Sequence, residues 1–343
     1  MTTREDTTPS APPRTIPAFL SIDVEPDGFQ LSPAEAGAWK GYTAMLEFSE
    51  QLRATLTART GTPPRFGWYF RTDPQIADVY GRADHVLITD SARLTRLAAK
   101  GDYFGVHMHP IRWSATQRAW IHDFHDVAWH ACAVRASLDA YAGWAGEPAR
   151  RFRSGAAFLT NGIVEALEAG GIEVDLTLEP ATSWARQAVH VPTSIDVSPI
   201  VGQHTDCRGA SHLPFRPAHR NFRVPGGEHA RDLVMVPLTT RAIYPGRPLW
   251  RRVARRLGLV RPDREVLYPS GAWPSPQFFW DLVADQLRSM PQPYLSLAIR
   301  TDHHEFGEAS RVRRVFEALP GHSLAGVLRF VDPLEVAPSL VRA

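Results

Sequence analysis

Two short stretches hold the side chains best suited to chemistry: Ile22-Asp23-Val24-Glu25 and Val106-His107-Met108-His109-Pro110. Each follows an apolar run that reads as a buried strand. Alternate side chains of a strand share a face, so Asp23 and Glu25 point the same way, and so do His107 and His109. Two carboxylates and two imidazoles at strand ends can converge on one divalent ion. Hard oxygen with imidazole nitrogen suits Zn²⁺, with Mn²⁺, Co²⁺ or Ni²⁺ as alternatives, and needs no thiolate. Three protein ligands would leave a coordination position for water and substrate, and the fourth group, a carboxylate beside the ion, could serve as general base. The chemistry to expect is metal-dependent hydrolysis.

The elements that must carry these groups alternate along the chain. Short β-rich runs predict strands at 18–24, 66–71, 103–107, 151–154, 172–177, 294–299 and 325–330. Apolar positions at helical spacing predict a helix at 33–59, with a break near Gly41, the lack of Pro and Gly predicts a long helix at 114–141, and further helices are expected at 91–100, 161–169, 276–290 and 310–319. Gly170-Gly171 closes the expected helix at 161–169. Strand alternating with helix predicts parallel strands joined by right-handed crossovers, as a barrel or a doubly wound sheet. No glycine-rich fingerprint follows the first strand, so a dinucleotide site has little support. Residues 180–246 are dense in Pro, Gly, His and Arg and read as long irregular loops around the apolar run 233–238. Residues 247–264 hold seven arginines, which read as a solvated helix face, with an anion site as the sharper alternative.

Composition sets the frame. With 343 residues, 44% hydrophobic and 22% charged, the chain has ample material for one large α/β domain. A net charge of +2 gives no case for nucleic acid or membrane as partner. Cys132 and Cys207 are expected as free thiols in a reducing compartment. Residues 1–17 lack the apolar segment of an export signal or anchor, so a disordered tail over 1–16 and a cytoplasmic setting without membrane insertion are expected.

Several motifs in order then resemble one family. Ser21-Ile22-Asp23-Val24-Glu25 is similar to the first motif of the polysaccharide deacetylase family, carbohydrate esterase family four with NodB homology, in a branch that uses Asp-Val-Glu or Asp-Val-Asp. Gly105-Val106-His107-Met108-His109-Pro110 resembles its second motif, and Arg151-Phe152-Arg153-Ser154-Gly155 its third. Trp68-Tyr69-Phe70-Arg71 and Val234-Met235-Val236-Pro237-Leu238-Thr239 resemble further strands of the family. The likeness covers residues 17–335, leaving 336–343 as an expected C-terminal tail.

The resemblance implies a distorted (β/α)-barrel of about seven strands with long irregular loops and the site at the strands' carboxyl ends. It implies Asp23 as general base, Glu25, His107 and His109 as metal ligands, and Arg153 as the guanidinium that favours the charged form of Asp23. The implied reaction is removal of an N-acetyl or related acyl group from a sugar by metal-activated water. Where the family's second motif places a further histidine, this chain has Ile111, so His109 is the expected substitute. The family's last motif supplies a histidine as general acid; here Leu297-Ala298-Ile299 leads into Arg300-Thr301-Asp302-His303-His304, and His303 is the candidate. Asp27 is a rival to Glu25, disfavoured because Pro26 and Gly28 suggest that the strand has ended.

The remaining candidates have plainer readings beside the functional ones. Trp68, Tyr69, Arg71, Trp113 and Trp273 could form a sugar-stacking wall, against the ordinary expectation that aromatics at strand ends are core. His122, His125 and Trp129 would share one face of the expected helix 114–141, most simply a packing face. His204, Cys207 and His212 have approximate ligand spacing, but no second Cys-x-x-Cys supports a zinc knuckle. A small-molecule or oligosaccharide substrate bearing an N-acetyl group is the expected partner. Two rivals stand: a deacetylase-like carbohydrate-binding or scaffold protein without chemistry, and another barrel metallohydrolase of the amidohydrolase type.

Overall fold

The computed structural model describes residues 15–27, 38–180, 200–207, 209–241, 265–269, 273–302 and 310–341. In chain order its first half runs β1 (Ile16–Val24), α1 (Lys40–Thr60), β2 (Gly67–Arg71), α2 (Pro74–Tyr80), α3 (His85–Thr89), α4 (Ser91–Ala99), β3 (Tyr103–Met108), β4 (Ile111–Ser114), β5 (Ala119–Asp123), α5 (Val127–Ala145), β6 (Arg151–Ser154) and α6 (Asn161–Ala169). The second half adds β7 (Val174–Asp175), β8 (Ile200–Val201), β9 (Pro217–Ala218), β10 (Asn221–Pro225), β11 (Val234–Met235), β12 (Thr240–Arg241), β13 (Glu265–Val266), α7 (Pro276–Ser289), β14 (Leu295–Arg300), α8 (Arg311–Ala318), β15 (Leu328–Phe330) and α9 (Pro333–Leu340).

The main sheet has the order β11-β7-β6-β3-β2-β1-β14, with β15 also paired to β1, and all its pairs are parallel. It curls into a barrel. The chain leaving β11 nearly closes the ring, because Thr239 N donates to Ser296 O at 2.9 Å and Ser296 N donates to Thr239 Oγ1 at 2.9 Å. The open choice between barrel and doubly wound sheet is thereby resolved in favour of the distorted (β/α)-barrel.

Period-2 alternation sorts the strands' two faces. Leu20, Ile22 and Val24 of β1, Trp68 and Phe70 of β2, Val106 and Met108 of β3, and Leu295, Leu297 and Ile299 of β14 pack outward against the helices in one large core. The residues between them face the barrel interior. Phe19, Tyr69, Tyr103, Val174 and Val234 form a second cluster there, at the amino end, where Ala337 and Leu340 of α9 pack against it. Above that floor the interior row turns polar. Register sets Asp23 beside Arg300 and Tyr69, Arg71 beside His107, and His107 beside Arg153.

Several expectations need correction. Residues 114–141 are not one helix: β4 and β5 form an antiparallel hairpin with β8 on its outer side, and the helix is α5. The cause lies in two aspartates. The Asp123 carboxylate accepts from His125 N at 2.7 Å and Asp126 N at 3.0 Å, ending the strand in a turn, and Asp126 caps α5 by accepting from Trp129 N at 2.9 Å. His122 therefore sits on a strand, His125 in a turn and Trp129 on the helix, so they share no helix face. Two short helices, α2 and α3, were not anticipated; α2 carries a legible signature, Asp73 as N-cap followed by Pro74 at the first helical position. The strand expected at 172–177 shrinks to β7, and 325–330 begins with a tight 3₁₀ turn before β15. Residues 336–340, expected within a C-terminal tail, continue α9, and its Ala337 and Leu340 are buried. Of the helix expected at 33–59, α1 is described, with Gly41 in its first turn, while the arginine-rich segment 247–264 lies outside the described residues.

Candidate metal centre

Each of the three expected ligands is held by a partner at the carboxyl end of the barrel. Glu25 follows β1, and Thr301 clamps its backbone: Glu25 N donates to Thr301 Oγ1 at 2.8 Å, and that hydroxyl donates to Glu25 O at 3.0 Å. His107 lies on β3, and its Nδ1 donates to Arg153 O at 2.8 Å, which leaves Nε2 as the free lone pair. His109 is placed by its own backbone N, which donates to Asp73 Oδ2 at 3.2 Å, and by close packing of its ring on Gly155.

The three ends converge. His107 Nε2 and His109 Nε2 are 3.0 Å apart, His107 Nε2 is 3.5 Å from Glu25 Oε1, and His109 Nε2 is 3.3 Å from Glu25 Oε2. Ligand atoms on one tetrahedral ion at ~2.0–2.1 Å would stand about 3.3 Å apart, so these separations match the edges of such a site. Two imidazole nitrogens face to face need a proton or a metal ion between them, and Glu25 Oε1 is buried with no hydrogen-bond partner, which a shared ion would satisfy. The donor set fits a divalent ion, and this is the one such cluster found among the described residues.

Protonation favours the same conclusion. Burial disfavours the charged form of both Glu25 and His109. For His109 it prevails, and with Arg71 nearby it pushes the imidazole down to about 3 against the pull of Glu25. For Glu25 burial is overcome by the His109 and His107 side chains and by Arg300, which hold the carboxyl well below the usual range. A carboxylate with a neutral imidazole is the form in which such groups bind metal.

Asp23 stands beside this triad, with Oδ1 3.8 Å from His107 Nδ1. Arg153 Nε lies 2.9 Å from both of its carboxylate oxygens, while Arg153 Nη1 donates to Leu176 O at 2.8 Å. Arg71 is buried and bonded to Asp73 and Gln75, and its Nη1 is 3.7 Å from Glu25 Oε2. Burial alone would raise the Asp73 carboxyl, but Arg71 and His109 bring it below the ordinary range.

The other candidates fall elsewhere. Trp68 is fully buried on the outer face of β2, where its Nε1 donates to Asp102 Oδ2 at 3.0 Å, so it lines no site. Trp113 is 41% exposed on β4, just past His109, and packs edge-on to Trp120 at 5.5 Å. Trp273 donates from Nε1 to Tyr268 O at 2.6 Å. Asp27 is engaged in holding the start of α1, accepting from Lys40 N at 2.9 Å and Gly41 N at 3.0 Å. His303 and His304 lie outside the described residues. His204 bonds to the carbonyls of Ala156 and Thr205, and His212 to Thr240 Oγ1, so neither forms a knuckle with Cys207; both cysteines are free thiols.

Five residues near the centre escaped the sequence reading. Asp73 and Thr301 fix the backbones of His109 and Glu25. Arg300 ends β14 with its Nε 3.9 Å from Glu25 Oε1. Glu179 is buried, 4.0 Å by Oε1 from Arg153 Nη2, and accepts a hydrogen bond from the Tyr268 hydroxyl. Of the five, only Asp73 carried a local signal, its helix-capping position.

No protein-family model and no curated protein matches the chain. Solved structures do. A provisionally named polysaccharide deacetylase of Mycobacterium smegmatis aligns at 13% identity over 97% of this chain and 94% of its own, with a TM-score of 0.50. A provisionally named glycoside hydrolase/deacetylase of Parabacteroides distasonis aligns at 14% identity over 93% of this chain and 70% of its own, with a TM-score of 0.55. The likeness is one of fold, and it agrees with the barrel expected from the motifs.

Proposed function

We propose that this chain is a metal-dependent hydrolase that removes an N-acetyl or related acyl group from a sugar-containing molecule. The observation that carries the reading is the convergence of Glu25, His107 and His109 at ligand-edge distances beside the Asp23–Arg153 pair. A divalent ion held by those three, Zn²⁺ or alternatively Mn²⁺, Co²⁺ or Ni²⁺, would polarise the acyl carbonyl and acidify a water. Asp23 accepts the proton of the attacking water as general base. Arg153 orients that carboxylate by its Nε and is itself anchored through Leu176 O. Arg71 and Asp73 form a buried pair that fixes His109 from behind. Trp113 and Trp273 are the aromatic surfaces left to contact a sugar ring. The setting we favour is cytoplasmic, with a small glycoside, nucleotide sugar or biosynthetic intermediate as substrate.

A second reading has one observation in its favour. The Glu25 carboxylate is flanked by the guanidiniums of Arg71 and Arg300, two fixed positive charges that oppose a dication. On that reading the protein binds carbohydrate without turning it over. Metal analysis of the purified protein and acetate release from N-acetylglucosamine-containing substrates separate the two. Bound metal and acetate release, both lost in His107→Ala, support the hydrolase; a metal-free, inactive protein indistinguishable from His107→Ala sinks it.

A further inference from the structure

The strand-end position on β14 that faces the centre is occupied by Arg300, a group that stays charged and has no proton to give at neutral pH. Protonation of a leaving amine therefore needs another acid. Among the described residues two buried carboxyls near Arg153 are outside any strong ion pair, Asp175 and Glu179; Asp175 accepts from Thr177 on both oxygens, from its N at 3.0 Å and its Oγ1 at 2.8 Å, which leaves Glu179.

Glu179 reaches the interior through a backbone irregularity. Val236 N donates to Asp175 O at 2.8 Å, and Leu238 N donates to Leu178 O at 2.9 Å. Two residues on the β11 side thus span three on the β7 side, where a regular parallel ladder would take Thr177 O. The extra residue reverses the alternation beyond β7, as a bulge does. Leu178 then packs in the outer core, and Glu179 faces Arg153. The guanidinium has one edge on Asp23, at 2.9 Å, and the other toward Glu179, at 4.0 Å. From the opposite side the Tyr268 hydroxyl donates to Glu179 Oε1, leaving Oε2 free to carry a proton. Tyr268 itself packs with Leu238, Val266 and Ala298 at the same end of the barrel.

We infer that Glu179 is the general acid of this site, with Tyr268 holding its carboxyl in place. The inference rests on the hydrolase reading and adds the residue that completes it. Attack of water forms the C–O bond and delivers one proton to Asp23. Breaking the C–N bond transfers the Glu179 proton to the departing nitrogen. The resulting Glu179 carboxylate is stabilised by Arg153 and by the Tyr268 hydroxyl, and it regains its proton from Asp23 through solvent, which restores both groups. Burial with Asp23 nearby, opposed by Arg153, raises the carboxyl to about 7, a value suited to an acid working near neutrality.

Leaving-group dependence tests this. An N-acetyl sugar releases an amine that must be protonated, whereas 4-nitrophenyl acetate releases a phenolate that needs no acid. With metal content equal to wild type, Glu179→Gln is expected to lower kcat/KM on the N-acetyl substrate by about 10²–10⁴-fold and on the aryl ester by less than about threefold. Glu179→Asp, which keeps an acid at shorter reach, should fall between on the N-acetyl substrate. An equal loss on both substrates, or no loss on the amide, overturns the inference. A wild type inactive on both overturns the hydrolase reading and this inference with it. Infrared difference spectra of chelator-treated protein give a readout without turnover: a protonated-carboxyl band near neutral pH, absent from Glu179→Gln, is expected, and its absence from wild type excludes Glu179 as the proton store.

Discussion

Gly155 lies so close beneath the His109 ring that a methyl group there would stand 2.3 Å from its Cδ2. The glycine is thus part of the seat of a proposed ligand without being one. Gly155→Ala must push the imidazole away, because Cys, Ser or Ala at this point has no room beside the ring. Metal affinity is expected to fall by roughly 10–100-fold, as for other changes that misplace a ligand, with the fold retained. Metal titration of the chelator-treated variant checks it, and wild-type affinity would show that His109 does not bind the ion.

The Asp23–Arg153 pair is the second point of leverage. Arg153→Ala leaves a buried carboxylate without its partner and is expected to destabilise the protein by about 3–5 kcal/mol, read as a loss in denaturant unfolding. Arg153→Lys keeps the charge but cannot present Nε to Asp23 while bonding Leu176 O. Its expected signature is a kcat lower by about 10²-fold with metal content unchanged, since misorientation of a catalytic group has effects of that order. Full activity in Arg153→Lys would remove the orienting role.

The interior face of the barrel was legible where strands alternate without interruption. Asp23 and Glu25, and His107 and His109, follow from period-2 spacing on runs whose other face is apolar, Arg153 follows from the family resemblance of its motif, and the structure brings these five together. The same parity separates Trp68 from Arg71, three residues apart and hence on opposite faces of β2, and so excludes Trp68 from an aromatic wall lining the site. Glu179 was hidden because the bulge after Asp175 reverses the alternation, a backbone event without a side-chain signature. Tyr268 is brought in by pairing of β13 with β12 across a long sequence gap. Absence of Pro and Gly does not distinguish the hairpin β4–β5 from a helix; the discriminating signals are Asp123, which ends the strand, and Asp126, which caps α5.

Glu179 also makes stability depend on pH. Its carboxyl is raised from an ordinary 4.5 to about 7, chiefly by burial, so the folded state prefers it protonated. That contribution is complete below about pH 4.5 and is lost as pH rises through about 7. Asp175, raised by burial to about 6, adds loss in the same direction. Urea unfolding of chelator-treated wild type and Glu179→Gln between pH 4.5 and 8 isolates the first group. The stability of wild type relative to the variant should decline across that window, and a difference that is flat or rises with pH contradicts a raised Glu179.

Trp68 offers a test that separates core from sugar wall. Its indole donates to Asp102 Oδ2 at 3.0 Å, the same oxygen that Arg53 Nη2 reaches at 2.7 Å, while Phe66 N donates to Oδ1 at 2.9 Å. Burial already raises the Asp102 carboxyl, so this acid depends on its donors. Trp68→Phe keeps an aromatic ring but removes one donor to a buried carboxylate and leaves a gap where the indole was. A loss of about 1.5–3 kcal/mol in unfolding free energy is expected, with KM for any N-acetyl substrate unchanged. Trp113→Ala should do the reverse, since its ring is 41% exposed and contributes little to the core: stability nearly unchanged, KM raised. A raised KM in Trp68→Phe without loss of stability would instead mean that the outer face of β2 contacts substrate, which would contradict the parity that places Asp23, His107 and Arg153 in the interior.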